Sequence, residues 1–294
     1  MTAIDPMAPA GGAAEDVKAS KGEYRVNWLQ TGLLALGSLV ILVPLYFAVV
    51  MSLKTGRQAA SGTGFSLPSP IELGNFAAAW ELTNFPKAFA ISLGITVVSV
   101  AGQLVLCSLA SYAIARNWHH QLFKWSYFYL LAAMFIPFPV VALAQVKLTS
   151  EVGLDNPLGV AVLHILFGMS FNILLYTAFL RSIPYELEES ARVDGCSTWQ
   201  TFWKMIFPLL APMNATVGIF AFLLSWNDFM MPSLIIADPS LQTIPVVQNI
   251  FQLQFSSNYN VAFASYLMAM APALLAYLVA QRWVMSGVTR GAIK

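Results

Sequence analysis

"EESARVDG", residues 188–195, is a charged island in an oily chain. The 294 residues are 58% hydrophobic and only 10% charged, yet five of the nine positions from Glu186 to Asp194 carry charge: Glu186, Glu188, Glu189, Arg192 and Asp194. The segment 184–208 that contains this island reads as two short helices with a stop between them. Pro184 suits a first helical position, and the three glutamates fall in the opening turns, where carboxylates favour the positive end of the helix dipole. Glu188 and Arg192 are spaced i,i+4 with the acid N-terminal, the better orientation for a helical ion pair. Gly195 is able to take the positive φ that ends many helices. Ser197 and Gln200 then form an S-x-x-Q capping pattern for a second helix. Along it Trp199, Phe202, Trp203 and Ile206 recur at i, i+3, i+4 and i+7 and make one apolar face, and Pro208 closes the segment.

The sequence on either side decides the fold class. Mean hydropathy is +0.68, outside the range of ordinary soluble domains. Six apolar runs, roughly 28–53, 89–114, 125–148, 158–181, 209–235 and 262–285, are each long enough to cross a hydrocarbon core of about 30 Å as helices. The expectation is an all-α membrane protein of six transmembrane helices in the cell membrane. Residues 1–27 are a polar tail that lacks the pattern of a cleaved signal peptide, and 28–53 is the first span. Residues 54–88 form an outer loop with a short surface helix in "NFAAAWELTNF". Residues 89–286 hold five further spans, with a long inner loop 182–208 and a long outer loop 236–261, and 287–294 is a C-terminal tail. With the N-terminus inside, eleven of the fifteen Lys and Arg residues fall on cytoplasmic segments, as the positive-inside rule requires. Both termini and the 182–208 loop are then cytoplasmic.

Several function classes drop out. A net charge of +1 gives no reason to propose a nucleic-acid partner. Cys107 lies in a span and Cys196 in an inner loop, so no disulfide between them is expected, and His119, His120 and His164 make no metal-ligand spacing. No G-x-x-x-x-G-K-[ST] occurs, so the chain has no P-loop of its own. No catalytic group and no metal are assigned.

A helix–glycine–helix hung between two spans has two readings. It is a solvated connector whose aromatic residues rest on the bilayer interface, or a rigid knuckle that fits a groove on a soluble partner. The physics leaves both open. The stretch "EESARVDGCSTWQTFWKMIFPLLAP" (188–212), however, resembles the E-A-A-x-x-x-G-x9-I-x-L-P loop of the permease subunits of binding-protein-dependent ABC importers. Glu189, Ala191, Gly195 and Pro208 stand at motif positions, whereas Ser190, Met205 and Phe207 replace an alanine, an isoleucine and a leucine. "IPYELEESARVDG" (183–195), "SWNDFMMPSLI" (225–235), "LQTIPVV" (241–247) and "GVTRGAIK" (287–294) resemble the maltose-type, MalG-like carbohydrate-uptake branch of that family.

The resemblance implies the type I importer architecture and an ATP-driven importer for a sugar or oligosaccharide. Its partners would be an ABC ATPase dimer that binds ATP and Mg, a second permease chain, and an extracytoplasmic solute-binding protein. The residues implied in ATPase coupling are Glu189, Ser190, Ala191, Asp194, Gly195, Trp199, Phe202 and Pro208. It also suggests that the outer loop 236–261 reaches into the binding protein, with Gln242, Thr243, Val247 and Phe251 as contacts, the alternative being a loop folded on the subunit's own outer face. The C-terminal "GVTRGAIK" is either a basic inside tail or a further ATPase contact.

Within the spans, Asp228 is the only acidic residue. Intramembrane acids mark functional positions, and Asp228 with Asn227 either tethers helices or lines a gate. His164, Asn172, Gln103, Asn214 and Gln145 read as interhelical hydrogen-bonding groups. Pro44, Pro137, Pro139, Pro212 and Pro272 read as kinks, with "FIPFPV" (135–140) the strongest hinge candidate. An ion-coupled secondary transporter is the main rival and would place charges near the midplane. An intramembrane hydrolase is the second rival, for which His164 with some serine is all the sequence offers.

Overall fold

The structure is a computed structural model that describes residues 27–253 and 258–292. The chain divides into two compact units, Met1–Pro44 and Leu45–Lys294. In the first, the described residues are almost all helical, and apolar side chains such as Trp28, Leu34 and Ile41 are exposed, a surface suited to lipid rather than water.

The helices are, in chain order, α1 (Trp28–Ser52), α2 (Gly56–Ser61), α3 (Gly74–Leu82), α4 (Phe85–Arg116), α5 (Gln121–Ala133), α6 (Phe138–Glu151) and α7 (Pro157–Leu180). Next come α8 (Glu186–Val193), α9 (Thr198–Thr201), a π-helical segment Phe202–Ile206, α10 (Phe207–Leu209), α11 (Ala211–Asn227) and α12 (Met230–Ile235). A 3₁₀ turn Pro239–Leu241 leads to α13 (Ile244–Val247), α14 (Ile250–Leu253) and α15 (Tyr259–Ala292). Four helices, α1, α4, α7 and the Tyr259–Val279 part of α15, are long and apolar enough to cross a membrane, and six crossings result if two bent pairs are each counted as one.

Those bent pairs correct the expectation of two continuous spans. The run 125–148 is broken into α5 and α6, which meet at 103°. The cause is "FIPFPV": Pro137 is the N-cap residue of α6 and Pro139 lies in its first turn, while a proline disfavours helical backbone in the residue before it. The run 209–235 is broken twice. Thr198–Leu209 and α11 meet at 75° across Leu210, with Pro212 in the first turn of α11 rather than inside a longer helix. The chain leaves the helix again after Asn227, so Asp228 caps α11 rather than lying inside a continuous helix. Pro44 and Pro272 do sit inside helices. At the C-terminus, α15 runs on through residues 287–292, where a tail was expected.

The core of the larger unit is the α4–α7 pair, joined by α11 and α15. Two glycines set its spacing. A Cβ on Gly102 would overlap Ile165 and one on Gly168 would overlap Gln103, so the α4 and α7 backbones approach as small residues in membrane helices allow. Serine hydroxyls of α4 donate across the seam, Ser99 to the Ala161 carbonyl at 3.5 Å and Ser111 to that of Ile173 at 3.3 Å. Asn156 starts α7 as an N-cap by accepting from the Leu158 and Gly159 N–H groups, the usual role of Asn there.

At the Phe85 end of α4, Asn75 of α3 joins three segments. Its Nδ2 donates to the Ser52 and Lys54 carbonyls, both at 2.8 Å, and its Oδ1 accepts from Asn260 Nδ2 at 2.6 Å. Lys54 is itself buried and donates to the Thr63 carbonyl at 2.8 Å. Asn75→Ala should therefore lower stability by about 2 kcal/mol, since buried carbonyls lose their donor. The check is a fall of several degrees in the thermal unfolding midpoint of the detergent-purified protein, compared with substitution of the exposed Glu81.

Candidate functional site

The charged knuckle folds as its caps dictate. Glu186, Glu188 and Glu189 occupy the first turn of α8. At its end Gly195 adopts φ +82°, its N–H donates to the Arg192 carbonyl at 3.0 Å, and the Cys196 N–H donates to that of Ala191 at 2.9 Å. This pair of bonds is a Schellman closure. One residue later the Ser197 N–H donates to Gln200 Oε1 at 2.9 Å and the Gln200 N–H to Ser197 Oγ at 3.3 Å, a complete capping box. Beyond Thr201 the helix widens into the π segment, which shifts the phase of the aromatic positions. Phe202 and Ile206 turn into the core against Tyr112 and Leu180, whereas Trp199 stays 61% exposed. The single aromatic face expected from an unbroken helix is thus divided between inside and outside.

The expected Glu188–Arg192 pair is also replaced. Glu188 is fully buried: Arg116 Nε lies 2.6 Å from its Oε1, and the Tyr112 hydroxyl donates to its Oε2 at 2.7 Å. Both partners come from the last turns of α4, which fixes α8 to the end of that helix. Arg192 instead lies over the Tyr185 ring at 5.5 Å. A spacing rule within one helix could not see α4 arriving with a better-placed cation.

Of the residues expected at the coupling surface, Glu189, Ser190, Asp194, Gly195, Trp199 and Pro208 are exposed, while Ala191 and Phe202 are buried and face inward. Val193, which sequence reasoning passed over, is 87% exposed at the tip. Its signal was an apolar residue among charges.

A second polar constellation lies deeper. His164 Nε2 is 2.9 Å from Asp228 Oδ2, His164 Nδ1 is 3.1 Å from Ser225 Oγ, and Ser225 Oγ is 3.3 Å from Thr96 Oγ1. Because a carboxylate only accepts, the Nε2 N–H donates to Asp228. Asp228 Oδ1 accepts from the N–H groups of Met230 and Met231 at 3.0 and 3.4 Å. The carboxylate therefore ties the break after α11 both to α7 and to the start of α12. Gln103 donates to the His164 carbonyl at 3.3 Å and accepts from Asn172 at 2.5 Å. The Tyr176 hydroxyl donates to Asn214 Oδ1 at 2.7 Å. Asp228, Asn227, His164, Gln103 and Asn172 share a cavity of about 510 Å³ with Phe138, the residue between the exposed Pro137 and Pro139.

The loop 236–253 folds onto the subunit. The Ile244 N–H donates to Ser92 Oγ of α4 at 2.9 Å, Thr243 is buried, Val247 packs near Phe85 and Trp226, and Phe251 packs near Ala79 and Val261. Gln242 is half-buried and its Nε2 donates to the Ile236 carbonyl. The apolar centre of the loop thus covers the chain's own helices, and the exposed run is Ala237–Ser240. There the Ser240 N–H donates to Asp238 at 2.8 Å and holds its carboxyl below the usual carboxylate value. Residues 1–26, 254–257 and 293–294, with the N-terminal tail and the last part of "GVTRGAIK", lie outside the described residues.

Removing one partner from a buried ion pair is costly because the other charge stays behind. Glu188→Ala should destabilise the folded protein by about 3 kcal/mol, and Glu188→Gln, which keeps an acceptor for Tyr112, by less. Thermal unfolding in detergent ranks the two.

Residues 107–290 match the family described as binding-protein-dependent transport system inner membrane components. The chain is 33% identical over 278 residues to the multiple sugar-binding transport system permease protein MsmG of Streptococcus mutans, covering 93% of this chain and 100% of that protein. It is 32% identical to the probable starch degradation products transport system permease protein AmyC of Thermoanaerobacterium thermosulfurigenes, over 87% and 93% of the two chains. It is 31% identical to the melibiose/raffinose/stachyose import permease protein MelC of Bacillus subtilis, over 86% and 91%. In fold it is similar to a chain of a bacterial ABC transporter involved in the import of the acidic polysaccharide alginate, with a TM-score of 0.76 at 22% identity over 87% of this chain and 95% of that one. With this family match, the knuckle and the broken spans are those of a multi-pass membrane permease, and the chain belongs to the inner membrane components of binding-protein-dependent transport systems.

Proposed function

We propose that the chain is one of two related permease subunits in an ATP-driven importer of a sugar or oligosaccharide, and that it carries no catalytic group itself. The observation that carries this reading is the knuckle: α8 closed by Gly195, α9 opened by a capping box, and Glu188 pinned to α4. Such a piece transmits displacement rather than absorbing it. With the Lys and Arg distribution placing the knuckle in the cytoplasm, an ATPase dimer closing around ATP and Mg would push on Glu189, Val193, Asp194 and Trp199. Buried Ala191 and Phe202 would seat the knuckle on the bundle. The solute-binding protein would meet the opposite end, at the exposed turn Ala237–Ser240. The sugar assignment is supported by relatives whose names place them in uptake of starch products, raffinose-type and other sugars. Transport would proceed by alternating access.

Two measurements test it. In the complex purified from its membranes, Trp199→Ala should weaken ATPase retention about tenfold while leaving the permease folded, as loss of an exposed aromatic anchor does. Phe202→Ala should instead lower the unfolding midpoint. Gly195→Ala meets open space but strains a backbone at positive φ, so it is the control for Gly195→Glu, which adds bulk and charge at the docking face. Uptake in proteoliposomes should require internal ATP and persist with ionophores; the reverse pattern would identify an ion-coupled transporter and overturn the proposal.

A further inference from the structure

The helix α11 separates two cavities of equal size, of which only one carries a cluster of polar groups in its wall. On one side, with α4 and α15, lies a space of about 510 Å³ lined by Leu93, Val97, Leu104, Ile219 and Phe222 and almost wholly apolar. Lipid tails or a partner helix suit such a wall. On the other side, against α6 and α7, lies the cavity of about 510 Å³ in which Asn227 and Asp228 interrupt a largely apolar wall, within the size range of small-molecule sites. Asn227 is exposed there and Asp228 partly so. Polar groups held open to hydrocarbon are expensive, so Asn227 and Asp228 call for water or a polar solute beside them rather than lipid.

The chemistry of this second cavity defines an occupant. Of its carboxamides, Gln103 and Asn172 are buried and bonded to each other, whereas Asn227 is exposed and, able both to donate and to accept, offers what adjacent sugar hydroxyls need. Phe138, Phe167 and Phe171 add aromatic faces that suit the C–H faces of a sugar ring. The one carboxylate is already engaged at both oxygens, by Met230, Met231 and His164. Among the described residues no Lys or Arg lines the cavity, so nothing there would neutralise an acidic sugar. Asn227 also borders a smaller cavity of about 270 Å³ with Gln248 and Tyr266, so the carboxamide series continues toward the end that bears the 236–253 loop.

We propose that the cavity between α6, α7 and α11 is a saccharide subsite on this chain itself, selective for neutral rings over uronic acids, with Asn227 the principal hydroxyl partner and Phe171 the stacking face. It rests on the importer reading above. The test places a cysteine at Leu224, which is 64% exposed and lines the cavity, in a Cys196→Ser background of the complete transporter in nanodiscs. A charged, membrane-impermeant methanethiosulfonate is the probe. The cysteine should react, maltotriose or raffinose should slow the reaction several-fold, and trigalacturonate should not. Adding Asn227→Ala should raise the sugar concentration for half-protection about tenfold, the loss of one good hydrogen bond. A transporter that takes up neutral sugar with ATP, yet has a Leu224→Cys site inert to the charged reagent, unprotected by sugar, or equally protected by trigalacturonate, overturns the subsite alone. A wild-type complex that shows no ATP-driven uptake of either neutral probe overturns the importer reading and the subsite with it.

Discussion

A carboxylate with no access to water holds the two halves of this protein's design together. Glu188 sits at zero exposure between the Tyr112 hydroxyl and the Arg116 guanidinium. The α8 helix has few apolar side chains with which to anchor itself, since five of its eight residues are Glu, Ser or Arg. Its attachment to the membrane bundle therefore depends on one buried charge and on Ala191. An apolar contact would seat it as firmly but less specifically, whereas a carboxylate with two directional partners fixes azimuth as well as position.

Deeper in the bundle, polar groups are arranged in the opposite sense. The carboxylate of Asp228 is satisfied on every side but left next to open space, along with the Asn227 amide, which has spare capacity. The Thr96–Ser225–His164–Asp228 line links α4, α11, α7 and the start of α12. It includes the serine that a hydrolase reading of His164 lacked, but here the imidazole braces a break in a helix within a transport family. A helix that stops at Asn227 needs its neighbours to satisfy what the break releases, and in a membrane only protein or trapped water can do so.

Local chemistry was legible in the sequence and distant chemistry was not. Gly195, Ser197 and Gln200 act through hydrogen bonds that span three to five residues, so their roles could be read directly and the structure has them as caps. The family motif rested on the same short stretch. The fate of Glu188 depended on a helix seventy-odd positions earlier in the chain, and within α8 alone the Arg192 pairing was the better expectation. Hydropathy located the crossings but, as a sum over composition, could not register that Pro137 and Pro139 would turn one run by 103°. Pairing of His164 with Asp228 likewise needed the α7–α11 contact, and the burial of Thr243 and half-burial of Val247 needed the face of α4 and α15 they cover.

The close approach of α4 and α7 at Gly102 and Gly168 makes these two helices one stiff beam, with Arg116 at one end and Ser92 near the other. A 32-residue helix is roughly 48 Å long at 1.5 Å per residue. A tilt of about 5° applied at the Arg116 end would swing the far end by roughly 4 Å on that length. If the proposed ATPase docks at the Arg116 end, such a beam would carry a small rotation there to the opposite side of the membrane as a displacement of several ångströms, and the two glycines would set how little of that travel is lost to bending.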